Sequence, residues 1–88
     1  ATAVCRAARK GHLDVLQLLL KADVDVNLPN DKMQSPLHFA AFKKNRACVD
    51  ALLAAGASTY VLDRKGRTPA EDTSDEGIRA AILAARAS

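Results

Sequence analysis

The chain of 88 residues has few aromatic side chains: two Phe, one Tyr and no Trp. Its core therefore has to be built from Ala, Leu and Val, and Ala and Leu favour closely packed helices. About half of the residues are hydrophobic (49%), yet no apolar run approaches the roughly 18 residues of a membrane span. These absences predict a small helical protein that does not insert into a membrane.

Cysteine is also scarce, since only Cys5 and Cys48 are present. Neither has a nearby Cys or His at metal-ligand spacing, so no metal site is predicted. The first residues lack the charged-then-apolar pattern of a secretory signal. With unpaired cysteines, this favours a reducing intracellular compartment, cytoplasmic or nuclear. The net charge of +3 is modest and typical of a solvated surface of mixed sign.

An internal period of 33 residues is the strongest positive signal. Ser35-Pro36-Leu37-His38 recurs as Thr68-Pro69-Ala70-Glu71, and counting back from Ser35 reaches Thr2. The same offset pairs several further segments without insertions: Ala7-Ala8 with Ala40-Ala41, and Leu19-Leu20 with Leu52-Leu53. A fixed period predicts stacked repeats that present a surface, here one domain over 1–88 with units at about 1–34, 35–67 and 68–88.

Each unit is predicted to contain two helices. Ser35 suits an N-cap and Pro36 the first helical position. Gly11 breaks the first unit, and Gly56 supplies a left-handed stop in the second. The predicted helices are about 3–10, 13–22, 36–43 and 46–55, with a third pair after Thr68-Pro69 that breaks near Gly77.

The inward face of the second helix is predicted from its spacing to contain Val15, Leu16, Leu19 and Leu20. Cys48 stands one period after Val15, so we expect it to be a buried small hydrophobe. The stretches 23–34 and 56–67 are predicted to be extended, β-hairpin-like fingers. Asp23 and Met33 occupy the positions of Gly56 and Gly66, where a positive φ would strain them.

Three segments together resemble the ankyrin repeat: Ser35-Pro36-Leu37-His38-Phe39-Ala40-Ala41, Ala7-Ala8-Arg9-Lys10-Gly11-His12-Leu13-Asp14-Val15-Leu16, and Asp25-Val26-Asn27. The resemblance implies an all-α ankyrin-repeat solenoid of helix–turn–helix units joined by β-hairpin-like fingers. It also implies a non-catalytic module or scaffold that binds a partner protein. No nucleophile–base pair or phosphate-cradling Gly loop argues for an enzyme, a cofactor or a small-molecule substrate.

The resemblance implies structural roles for His38, which would hydrogen-bond within or between repeats, and for His12 at a helix junction. Acidic residues replace the family pattern on the predicted first helix of the third unit: Glu71, Asp72, Asp75 and Glu76. A polar terminal cap explains them, because repeat stacks require one for solubility. The alternative is an acidic docking site for a basic partner.

Partners of ankyrin-like stacks usually meet the concave face, built from fingertips and first helices. The corresponding residues here are Arg9, Lys10, Phe42 and Lys43 on helices, and Pro29, Asp31, Lys32, Leu62, Arg64, Lys65 and Arg67 on fingers. Phe42 occupies the outward slot of Arg9, so it is either an exposed interface anchor flanked by cations or a residue packed against a neighbouring finger or against a chain segment absent from this sequence.

Further alternatives remain open at this stage. The chain could be a structural or regulatory ankyrin segment of a larger protein. Basic residues of the fingers and helices could instead bind nucleic acid, although no base-recognition motif is present: Lys32, Lys43, Lys44, Arg46, Arg64, Lys65 and Arg67. The stretch ending at Asn27 also resembles the pattern that asparaginyl hydroxylases accept, whereas Asn27 could simply bond the finger backbone.

Overall fold

Five α-helices make up the regular structure of the chain in a computed structural model that describes residues 3–22 and 25–86. The helices are α1 (Ala3–Lys10), α2 (Leu13–Lys21), α3 (Pro36–Phe42), α4 (Arg46–Ala54) and α5 (Glu76–Arg86). No strand occurs within the described residues. The predicted all-α fold is therefore confirmed, and the first four helices agree with their predicted bounds to within a residue.

The helices form two layers. α1 packs on α3 in one layer, while α2 packs on α4 and α4 on α5 in the other. The two layers are in contact within each of the first two units, where α1 packs on α2 and α3 packs on α4. The buried residues between the layers are mostly Leu, Ala, Val and Ile, and Ala8, Ala40 and Ala41 are fully buried. Such small side chains allow the close approach of helices on which the stack depends.

The start of α3 is fixed by a capping box. The Ser35 hydroxyl oxygen accepts a hydrogen bond from the His38 backbone N–H at 3.3 Å. In return, the Ser35 backbone N–H donates to His38 Nδ1 at 3.2 Å. Pro36 follows at the first helical position, where its missing N–H costs nothing. The predicted cap is confirmed, with a histidine in the place where a capping box usually has Glu or Gln.

Left-handed backbone occurs at the predicted stop, Gly56 (φ 85°), and also at the helix junctions. Gly11 has φ 74°, and a Cβ there would collide with the side-chain amide of Asn45. Lys44, one period later, adopts φ 59° although it is not glycine. Met33 likewise has φ 63° where Gly66 has φ 77°, which confirms the strained position predicted for it. Thr2 and Asp23 lie outside the described residues.

The prediction of a first helix in the third unit is wrong. Residues 69–72 form a turn, and no helix begins before Glu76. The Thr68 backbone N–H and hydroxyl both donate to the Glu71 carboxylate, at 2.9 and 3.0 Å. Asp75 Oδ1 then accepts from the Ile78 N–H at 3.0 Å, which starts α5. The Thr68–Glu71 bonds resemble a helix cap, but Arg79 donates to the carbonyl oxygens of Ala70 at 3.3 Å and Thr73 at 2.7 Å, which a continuing helix would use for its own bonds.

Two further predictions need correction. Gly77 lies inside the first turn of α5 and does not break a helix. Val15 does not face the core: 48% of its surface is exposed, whereas Cys48 is fully buried. α4 has α2 on one side and α5 on the other, but within the described helices α2 packs on α4 alone in its layer. One side of α2 is therefore uncovered, and Val15 lies there.

The fingers end in hairpin-like turns. The Asn30 N–H donates to Gln34 O at 2.9 Å, and the Asp63 N–H donates to Arg67 O at 3.0 Å one period later. Neighbouring fingers are tied together by Asn27, whose side-chain oxygen accepts from the Ser58 N–H at 2.7 Å. The structural role considered for Asn27 is thus confirmed, with the bond made to the next finger.

Candidate protein-interaction groove

A groove of about 620 Å³ runs between the fingertips and the first helices. Residues of α1, of α3 and its C-cap, of both fingertips and of the turn at 69–72 line it: Arg9, Asn30, Asp31, Lys32, Gln34, His38, Phe39, Phe42, Lys43, Asp63, Arg64, Lys65, Arg67 and Asp72. Its walls include residues of α1 and α3 and the turns at 31–33 and 64–66. The fold thus brings together residues from all three units at one surface.

Two phenylalanines supply the apolar part of the groove. Phe39 is half-buried against the core, while Phe42 is 61% exposed. The Lys43 ammonium lies 5.8 Å from the centroid of the Phe42 ring, within cation–π range. Phe42 also borders a second depression that contains Glu71 and Arg79. Its exposure contradicts packing against a neighbouring finger, and its role as an interface anchor stays a prediction.

His38 anchors the wall of the groove. Its Nδ1 accepts from the Ser35 N–H and lies 2.8 Å from the Ser35 hydroxyl, so the proton is carried by Nε2. Nε2–H donates to the Arg67 carbonyl oxygen at 2.8 Å. One imidazole therefore caps a helix of the second unit and holds the base of the fingertip that follows it. The structural role implied for His38 is confirmed. His12 does lie at the α1–α2 junction, but its exposed side chain makes no cap hydrogen bond.

Asp63 shapes the fingertip beside His38. Its Oδ1 accepts from the backbone N–H groups of Lys65 at 3.0 Å and Arg67 at 2.9 Å. Burial by itself would raise the pKa of this carboxyl. The two N–H donors, with Coulombic attraction from Arg67, outweigh burial and hold the pKa of Asp63 below its ordinary value. Asp63 is therefore a charged structural group.

The ligand atoms of His38, Asp63 and Asp72 lie within 4.8 Å of one another, a spacing that could suit a metal ion. Both ring nitrogens of His38 are already hydrogen-bonded, and Asp63 Oδ1 already accepts two N–H groups. Asp72 Oδ1 lies 3.7 Å from the Arg67 guanidinium. A cation would have to break the bonds that hold the fingertip, so the arrangement supports the groove and does not form a metal site.

The groove is basic. Six Lys or Arg side chains and three Asp side chains line it, a net charge of +3 with His38 neutral. Arg64 has a structural role, since its Nη2 donates to the Asp31 carbonyl oxygen at 2.8 Å and connects the two fingertips. Within the described part of the chain, no ion pair involves Arg9, Lys32, Lys43 or Lys65. Four cations are therefore available to a partner.

Eight of the eleven residues predicted for partner binding line this groove: Arg9, Asp31, Lys32, Phe42, Lys43, Arg64, Lys65 and Arg67. Lys10 and Leu62 are exposed but lie outside it. Pro29 is also outside. Of the seven cations considered for nucleic acid, Lys44 and Arg46 lie outside the groove, and Arg46 pairs with Asp50 at 3.0 Å.

Asn30 and Asp63 were missed in the sequence, although the period places them in register. Asn30 Oδ1 accepts from the N–H groups of Lys32 and Gln34, both at 2.9 Å. Asp63 does the same for Lys65 and Arg67. A short side-chain acceptor at the same place in each finger, two and four residues before the donors, was the signal that could have identified them.

No helix within residues 3–22 and 25–86 is long and apolar enough to cross a membrane.

Comparison with known proteins places the repeats in a family. The family model described as ankyrin repeats (3 copies) matches residues 1–63. Among curated relatives, the potassium channel KOR2 of Oryza sativa subsp. japonica is 36% identical over 76 residues. The probable E3 ubiquitin-protein ligase XBOS31 of the same rice is 44% identical over 62 residues. The ankyrin repeat domain-containing protein 53 of Mus musculus is 35% identical over 82 residues.

These alignments cover most of this chain but little of the relatives. They include 86%, 70% and 88% of the chain, yet only 10%, 14% and 16% of the channel, the ligase and the mouse protein. Ankyrin repeats generally mediate protein–protein interaction and are typically non-catalytic. The 33-residue period, the two helical layers and this match show together that the chain belongs to the ankyrin-repeat family.

Proposed function

We propose that the chain is a non-catalytic interaction module that binds a partner protein through the groove between its fingertips and first helices. The observation that carries the proposal is that eight of the residues predicted for the concave face line one groove. Its chemistry also suits protein recognition, since an exposed aromatic ring stands among unpaired cations. Fingertips fixed by His38, Asp63 and Arg64 would keep that surface preorganised.

The reactive side chains of the described residues support a non-catalytic role. His38 has both ring nitrogens engaged, so it is not free to act as a general base. Cys48 is fully buried, and burial raises the pKa of its thiol, which disfavours the nucleophilic thiolate. The buried thiol of Cys48 forms no disulfide, which is also compatible with the cytoplasmic or nuclear location expected for the chain.

A structural or regulatory role within a larger protein is the second candidate. It is favoured by the relatives, in which the matching segment makes up 10–16% of the length. In that case the groove would bind another segment of its own protein. Crosslinking of the full-length parent distinguishes the two, because crosslinks from the groove would then stay within one polypeptide.

The test is quantitative affinity capture from the source cell with the full-length parent. The groove variant combines Phe42→Ala, Lys32→Glu and Lys65→Glu, whose side chains support no other part of the fold. The control combines Leu18→Ala, Lys10→Glu and Lys21→Glu, which removes an equally exposed apolar side chain and makes the same charge change outside the groove. The groove variant should lose a set of captured proteins that the control retains. Equal capture by both variants would show that the groove is not the binding site.

A further inference from the structure

We propose that the groove recognises an acidic, extended peptide segment that carries one large apolar side chain. Its carboxylates would pair with the fingertip and helix cations, and its apolar side chain would lie on Phe42. This inference rests on the proposed function and names the chemistry of the partner.

The balance of charge in the groove argues for an acidic partner. Of the three groove carboxylates, Asp63 is held by backbone N–H groups and Asp72 lies beside Arg67. Asp31 is thus the groove carboxylate for which the described residues provide no partner, against four cations without an ion pair. Complementary charge fixes the register of a bound segment and excludes partners of like charge.

The arrangement of these cations argues for an extended segment. Lys32 and Lys65 are related by the 33-residue period and occupy equivalent places on successive fingertips. The bond from Arg64 to the Asp31 carbonyl fixes one fingertip against the next. Cations therefore recur along the direction in which the units stack, with Arg9 and Lys43 facing them from α1 and the end of α3. A chain running along the groove meets them in succession.

The apolar requirement comes from Phe42. Its ring is 61% exposed beside the half-buried Phe39, at the boundary between the groove and the second depression. Aromatic side chains surrounded by polar groups commonly dominate the energy of an interface. An acidic segment without an apolar side chain would leave this surface uncovered, so both features are required together.

Nucleic acid fits the same groove less well. Proteins that bind single strands offer a series of aromatic rings for stacking, whereas among the described residues Phe42 alone is an exposed aromatic in the groove. Three carboxylates also line the groove and would repel a continuous phosphate backbone. A peptide can place neutral residues opposite those positions.

The experiment measures the fluorescence anisotropy of three labelled synthetic peptides. The first alternates Glu and Asp around a central Leu, the second replaces every acid with Gln or Asn, and the third replaces Leu with Ala. We expect the acidic Leu peptide to bind roughly tenfold or more tightly than the neutral one, and several-fold more tightly than the Ala peptide. Raising the salt from about 0.1 to about 1 M shortens the Debye length from about 10 to about 3 Å and should weaken binding.

Two double variants of equal net charge show whether the groove is responsible. Lys32→Glu with Lys65→Glu should lower the affinity for the acidic peptide roughly tenfold. Lys10→Glu with Lys21→Glu should change its affinity by less than about twofold, because neither lysine lines the groove. Far-UV circular dichroism of both confirms that the helices are retained. All four lysines are exposed.

Three results would overturn the inference. The neutral peptide could bind as tightly as the acidic one, or both double variants could weaken binding equally. An oligonucleotide or a phosphorylated peptide could also bind more tightly than the acidic peptide through the same two fingertip lysines. If any of these occurs while the cell-capture experiment still depends on the groove, the acidic-peptide inference alone fails. If capture does not depend on the groove, the proposed function fails as well.

Discussion

Replacing His38 with Ala is the sharpest test of how the second unit is held together. The change leaves the buried Ser35 N–H without its acceptor and removes the donor to the Arg67 carbonyl. An unsatisfied buried donor costs about 1–3 kcal/mol, and a lost hydrogen bond about 0.5–1.5 kcal/mol. The side chain is also nearly fully buried, so its removal leaves a cavity. We expect unfolding to become easier by about 2–5 kcal/mol in total.

The assay is urea unfolding at neutral pH, followed by far-UV circular dichroism. His12→Ala is the matched control, because that histidine is exposed and makes no cap hydrogen bond. We expect it to cost less than about 0.5 kcal/mol. A loss of 2–5 kcal/mol is a large part of the stability of a small domain, so His38→Ala could be largely unfolded.

His38→Gln keeps the measurement possible in that case. Glutamine can restore the capping-box bond to the Ser35 N–H, but the bond to Arg67 depends on the reach of the imidazole. Its stability should therefore lie between those of the wild type and His38→Ala. If His38→Ala costs less than about 1 kcal/mol, or no more than His12→Ala, the assigned role of His38 in holding the fingertip of the second unit to α3 is wrong.

Three other predictions concern acid, strain and the uncovered side of α2. The lowered pKa of Asp63 stabilises the fold at pH values above the unfolded pKa of about 3.9, and this stability is lost as the pH falls through the folded pKa. Asp63→Asn should therefore flatten the acidic part of the curve of unfolding free energy against pH. An unchanged curve would contradict the assigned role of Asp63. Met33→Gly should stabilise the chain by up to about 1 kcal/mol in urea unfolding. Left-handed backbone costs a non-glycine residue about 1–2 kcal/mol, whereas the greater freedom of glycine in the unfolded state offsets about 0.5–1 kcal/mol of that gain. A destabilised variant would show that Met33 is not strained. Val49→Ala should cost about 1–3 kcal/mol and Val15→Ala below about 1 kcal/mol in the same assay, since Val49 is fully buried and Val15 half-exposed; equal losses would contradict the burial difference.

The period predicted the fold where each unit repeats its local chemistry. Ser35 and Pro36 start α3 as expected, because an N-cap and an N1 proline act on their own few residues. The prediction of a first helix in the third unit was wrong because other bonds outweigh the local cap there. Its Thr68-Pro69 resembles a helix start, and Glu71 even makes a cap-like bond, but Arg79 of α5 occupies the Ala70 and Thr73 carbonyl oxygens that a helix would otherwise use. The period alone does not weigh one local bond against another.

The site was predictable in its membership but not in its bonding. Exposed positions one period apart, such as Lys32 and Lys65, have to lie on the same face of a regular stack. Which cations are free depends on contacts between units, such as the bond from Arg64 to the Asp31 carbonyl. Val15 shows the same limit, because its exposure depends on which helices flank α2 and not on its spacing within α2.

The bonds that build the groove are separate from the side chains that would bind in it. His38, Asp63 and Arg64 use their polar atoms on backbone groups, and these bonds set the position of the fingertips. Lys32 and Lys65 have no ion pair among the described residues. Substitutions at the first set should therefore change stability and affinity together, whereas substitutions at the second should change affinity alone. This separation lets one scaffold change its partner through exposed residues, because the period that maintains the stack does not restrict them.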